Sequence, residues 1–143
     1  MKLILFIISL FSYSVISGQS TSFTNAKNWK LYKIADENAF QYRVDTLKNF
    51  SFERLSDDTM RTFISELSEL PSSGPHIWMG AYIATFEYEG ITRKVEISHY
   101  GGVLYDESSK KHFQIPENKV LDWLSYIRQS FMCTHNDDDK VSY

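Results

Sequence analysis

Apolar positions first gather in a run from Leu3 to Ile16, with Lys2 ahead of it and small residues through Gly18 behind it. A basic start, a short apolar stretch and a small-residue exit make the pattern of a secretory signal peptide. The run is broken by Ser9, Ser12, Tyr13 and Ser14, and it is shorter than the roughly 20 apolar residues a membrane-spanning helix needs. Residues 1–18 are therefore expected to be a cleaved leader. Residues 19–28 are polar and read as a flexible leader to a single α+β domain over 29–132, with a polar tail at 133–143.

Alternation begins at Trp29. Trp29, Leu31 and Lys33 alternate with Lys30, Tyr32 and Ile34, and Phe40, Tyr42 and Val44 alternate with Gln41, Arg43 and Asp45, which predicts two strands about a turn at Asp36 to Asn38. Phe50 and Phe52 suggest a further short extended piece. Met60, Phe63, Ile64, Leu67 and Leu70 then recur at helical spacing behind Ser56, an N-cap residue, with Asp57 and Asp58 in the first turn. This predicts a helix over 57–70 that stops at Pro71. Glu66 and Glu69 fall off its apolar stripe and read as a solvated face. Two strand-like segments, 77–88 and 91–100, flank Glu89 and Gly90, and short strands follow at 103–105 and 112–115. After Pro116, Val120, Leu121, Leu124, Ile127 and Phe131 line one side of a last helix. The expected fold is α+β, an antiparallel sheet of about five to six strands with two helices packed on one face.

The hairpin has two possible registers, and they place its aromatic residues on opposite faces. A two-residue loop at Glu89 and Gly90 pairs Tyr88 with Ile91, Ala84 with Val95 and Tyr82 with Ile97, which points Ile91 inward with the aromatic row and leaves Thr85, Thr92, Lys94, Glu96 and Ser98 on a mostly polar outer face. A three-residue loop that includes Tyr88 instead sends Trp78, Tyr82 and Phe86 outward with Tyr100, as an aromatic strip suited to binding. Turn chemistry favours the longer loop, since Glu89 at positive φ costs roughly 1 to 2 kcal/mol. Burial outweighs it, at roughly 1.5 to 3 kcal/mol per large apolar side chain, so the two-residue loop is the expected register.

Composition narrows the chemistry. Eighteen Asp and Glu against 15 Lys and Arg give a formal net charge of −3 over 143 residues, with no basic stripe for nucleic acid. Cys133 is the one cysteine, so the chain has no internal disulfide, and the residue reads as a small, partly buried hydrophobe after the last helix. The four histidines, His76, His99, His112 and His135, have no metal-ligand spacing, and Asp137 to Asp139 lack the alternation and glycine of a calcium loop. No cofactor and no metal are expected, and no catalytic residue is nominated. Asn49, Phe50 and Ser51 form a glycosylation sequon.

The binding candidates are Trp78, Tyr82, His99, Tyr100, Gly101 and Gly102. The aromatic residues offer stacking surfaces, and paired glycines at a strand end allow close backbone approach or simply a bend into the next strand. The leading expectation is a periplasmic or extracellular, non-catalytic protein-binding module of inhibitor or immunity type. Its expected partner is another exported protein, with no nucleic acid and no membrane after cleavage. The alternatives are a small-molecule or glycan binder using Trp78, Tyr82 and Tyr100, and a small hydrolase with a dispersed site around His99.

Overall fold

The computed structural model describes residues 21–34, 41–71 and 81–133. Its elements in chain order are α1 (Thr21–Thr24), β1 (Lys27–Tyr32), α2 (Val44–Leu47), β2 (Phe52–Arg54), α3 (Asp57–Ile64), β3 (Ser68–Glu69), β4 (Ala81–Tyr88), β5 (Ile91–Ser98), β6 (Val103–Asp106), β7 (Lys111–Gln114) and α4 (Val120–Met132), the last entered through a 3₁₀ turn at Glu117–Lys119. The described strands form one seven-stranded antiparallel sheet in the order β2-β1-β4-β5-β6-β7-β3. The fold is α+β. The segment 1–18 read as a leader, the strand-like positions 77–80 and the tail from residue 134 onward lie outside the described residues.

The two-residue hairpin is the register formed. Tyr88 faces Ile91, Ala84 faces Val95 and Tyr82 faces Ile97, with Glu89 at φ 50 and Gly90 at φ 75 in the paired left-handed geometry that suits strand twist. Core formation therefore outweighs the strain at Glu89. One face of the sheet presents Trp29, Leu31, Tyr82, Ala84, Phe86, Val95, Ile97, Leu104 and Phe113, and α3 and α4 cover it with Met60, Phe63, Ile64, Trp123 and Ile127. Ser56 caps α3 by accepting from Thr59 N at 3.2 Å, while its own N–H donates to Tyr126 Oη at 2.9 Å. The start of α3 is thus tied to α4. Asp57 also accepts from Asn28 N and Trp29 N, at 3.1 and 3.3 Å, where β1 bulges between Lys27 and Lys30.

Several expectations change. The segment from Thr21 is not a loose leader, because Phe23, 1% exposed, sits between Phe86 and Phe113 with ring centroids 5.4 and 5.2 Å away. The alternating residues Tyr42 and Val44 belong to no strand; Val44–Leu47 is a helical turn whose Leu47 is driven into the other sheet face. The helix predicted over 57–70 ends at Ile64, since Ser68 and Glu69 pair with Gln114 and Phe113 and Leu70 N donates to His112 O at 2.9 Å. An open sheet edge competed with helix propensity and won. Cys133 is exposed rather than partly buried.

The polar face is also covered. Tyr32, Ile34, Leu47 and Ile83 form a second, smaller cluster with Tyr42 and Phe50 packed on it, so residues 41–50 lie across the sheet like a strap. Thr85, Lys94, Glu96 and Ser98, expected to face solvent, are buried. Ile91, expected to point into the core, stands beyond its end and is 65% exposed.

Candidate functional site

The residues nominated from sequence do not converge on one site. Tyr82 is 8% exposed, stacked on His99 at 4.1 Å with Phe131 at 5.0 Å, so it is part of the core and no ligand platform. His99 is half-buried and its carbonyl accepts from Arg128 at 3.2 Å. Tyr100 alone among the described candidates presents an open ring, 60% exposed. Gly101 and Gly102, at φ 72 and 65, make the turn from β5 into β6, and a Cβ at Gly102 would meet Val120 Cγ2 at 3.1 Å and Ile115 Cβ at 3.2 Å. Ile115 N and Gln114 Nε2 close this turn through the carbonyls of Gly102 and Gly101, at 2.9 and 2.6 Å. These glycines serve a tight turn packed on α4. Trp78 lies outside the described residues.

Concave surface occurs beside the start of α3, where a polar pocket of about 400 Å³ is bounded by Arg54, Asp57, Asp58 and Arg61, and on the strap-covered face. A cleft of about 570 Å³ opens at the hairpin end between α2 and the β6–β7 turn, lined by Val44, Tyr88, Ile91, Thr92, Lys94 and Glu107 together with Arg93, Ser108 and Lys110. A second cavity of about 260 Å³ lies deeper, between α2 and strands β2, β1 and β4, and shares Val44 and Thr92 with the first. The strap makes both, because Val44 stands above the sheet at the position where one cavity gives way to the other.

Beneath the strap is a charged cluster. Lys94, 3% exposed, donates to Tyr42 O at 2.8 Å, and its Nζ lies 3.0 Å from Glu107 Oε2 and 4.0 Å from Glu96 Oε1. The contact with Glu107 is ionic and not a well-aligned hydrogen bond. Burial pushes the Glu96 carboxyl above the usual carboxylate range, a shift that Glu107 reinforces and Lys94 and Lys110 oppose. Arg93, on the opposite side of β5, donates to Asp106 Oδ2 at 3.2 Å and to Ser108 Oγ. Asp106 also accepts from Ser108 N and from both serine hydroxyls of the β6–β7 turn. The cleft wall is therefore held by fixed polar contacts, whereas Ile91 and Val44 stand at its mouth.

Alternation marked Thr92, Lys94 and Glu96 as one face, but no local signal says that a segment fifty residues earlier covers it. Among the described residues, no group of three or more His, Cys, Asp or Glu side chains is arranged to hold a metal ion, and no helix is long and apolar enough to cross a membrane. The fold and the clefts define an α+β domain with a helix-covered core face and a strapped, recessed second face. No protein family, no curated protein and no solved structure matches the chain.

Proposed function

We propose that this protein is a non-catalytic protein-binding domain that acts after export, of inhibitor or immunity type, and that it engages another exported protein through the cleft at the hairpin end. The observation that carries this reading is Ile91, an apolar side chain 65% exposed on a two-residue hairpin, beside the cleft of about 570 Å³. Interfaces concentrate energy in a few anchors within a polar surround, and Ile91, Val44 and the aliphatic stem of Lys110 amid Glu89 and Glu107 have that composition.

The test compares Ile91→Asp with Leu121→Asp, both at exposed positions of different faces. Each tagged protein is used to isolate partners from the exported fraction of its own host. A specific partner that the wild type and the Leu121 variant retain and the Ile91 variant loses supports the reading. Equal retention by all three, or no specific partner, contradicts it.

A further inference from the structure

The cavity of about 260 Å³ under the strap carries a separate inference, independent of protein docking at its neighbour. Lys30 and Lys48 line it from β1 and from the end of α2, and among the described residues neither has a carboxylate within ion-pair distance. Its one acidic lining residue, Glu87, is already engaged by Asn28 Nδ2 at 2.8 Å. Two cations against one carboxylate leave a single positive charge in excess, inside an otherwise acidic protein of net charge −3.

The rest of the lining is neither a bare anion site nor an apolar hole. Tyr32 and Phe52 meet at 5.8 Å between centroids and 56° between planes, forming a corner that accepts a flat body edge-to-face. Lys30 Nζ lies 4.8 Å from the centre of the Phe52 ring, so the charge sits directly over one wall. At the floor the hydroxyls of Tyr32 and Thr85 are 3.3 Å apart. Whichever of them donates, the other keeps a hydrogen for an incoming acceptor.

We infer that this cavity binds a small organic monocarboxylate with a flat apolar body, its carboxylate received by Lys30, Lys48 and the Tyr32–Thr85 hydroxyl pair. Phosphate would leave the aromatic corner unused, and a cation of the same size would face two lysines. The volume suits a ligand of about one ring, near the lower limit for small-molecule sites.

Benzoate is the probe, followed by amide shifts of the ¹⁵N-labelled protein, with inorganic phosphate and phenethylamine as comparisons. Saturable benzoate shifts centred on Lys30, Thr85 and Thr92 are expected, weakened about tenfold in the Lys30→Gln, Lys48→Gln double variant, since charge-assisted contacts are the strong ones. Both positions carry solvent-reaching side chains, and an unchanged spectrum of the free variant verifies its fold. Absence of benzoate shifts there overturns the inference. So does phosphate binding equally well, which would remove the apolar body, or phenethylamine binding better, which would reverse the sign of the site.

Discussion

Ile97 and Glu96 are neighbours on β5, and both are buried, but by different means. Ile97 points into a layer of Phe, Trp, Ile and Leu side chains closed by α3 and α4, where each residue contributes by leaving water. Glu96 points under a strap whose apolar contacts are few, and its burial opposes its own charge. The core face is a continuous apolar layer with an aromatic chain through it, Trp29 stacking on Phe86 at 4.6 Å and Phe63 meeting Trp123 edge-on at 5.3 Å. The second face is a patchwork of a small apolar cluster, a charged cluster and two cavities. A face finished in that way gives up stability and gains recesses, and recesses are where ligands and partners are held.

Substitutions on the two faces sharpen this contrast. Trp123→Ala opens a void in the core layer and is expected to cost about 3 to 5 kcal/mol in denaturant unfolding. A loss near 1 kcal/mol there would mean that the core face is not the stabilising one. Leu47→Ala removes the strap's fully buried anchor and should cost about 2 to 3 kcal/mol. Its second signature is faster amide exchange over residues 44–50, with α4 protected as before. If α4 exchange rises equally, the strap is not a separately stabilised layer.

Lys94→Met removes the ion-pair partner of the Glu96 and Glu107 carboxylates and the bond to Tyr42 O, for an expected loss of about 2 kcal/mol. That loss should shrink in acid, as the Glu96 carboxyl, whose pKa burial raises, takes up its proton. Ser56→Ala deletes the α3 cap and should cost about 1 kcal/mol without altering the strap. The smallest effect is a pH dependence. Because burial raises the Glu96 pKa, the folded protein holds that proton more readily than the unfolded chain. Its contribution is full below the ordinary carboxylate range and is lost as pH rises through the raised value. Stability of the wild type relative to Glu96→Gln should therefore decline across that interval. A relative stability that climbs with pH would show that Lys94 prevails over burial.

The same contrast explains what was legible beforehand. The core face was readable because period-two apolar positions in β1, β4 and β5 and the helical spacing of Met60, Phe63, Ile64, Val120, Leu124 and Ile127 pointed inward, although Leu121, read on the same side of α4, is 80% exposed, and burial then selected the two-residue hairpin. The α+β class and the N-cap at Ser56 followed from those local patterns. The second face was not readable. Lys94 and Glu96 look like solvent-facing residues in any local window, and only long-range packing of Leu47 and Tyr42 encloses them. Tyr82 misleads in the other direction, since an aromatic residue on an alternating strand suits either a platform or a core. The edge strand β3 depends on β7, forty-odd residues later, so residues 65–70 carried only their helical spacing.

We place binding at the hairpin end, where the strapped face opens beside Ile91, and not on the helices that cover the core. The direct measurement is an amide-shift map of the ¹⁵N-labelled protein mixed with the exported fraction of its host. Perturbation confined to Val44, Ile91, Thr92, Lys94 and Lys110, with Leu121 and Met132 of α4 unmoved, is the predicted result. Shifts centred on α4, with the hairpin end unchanged, would contradict the account.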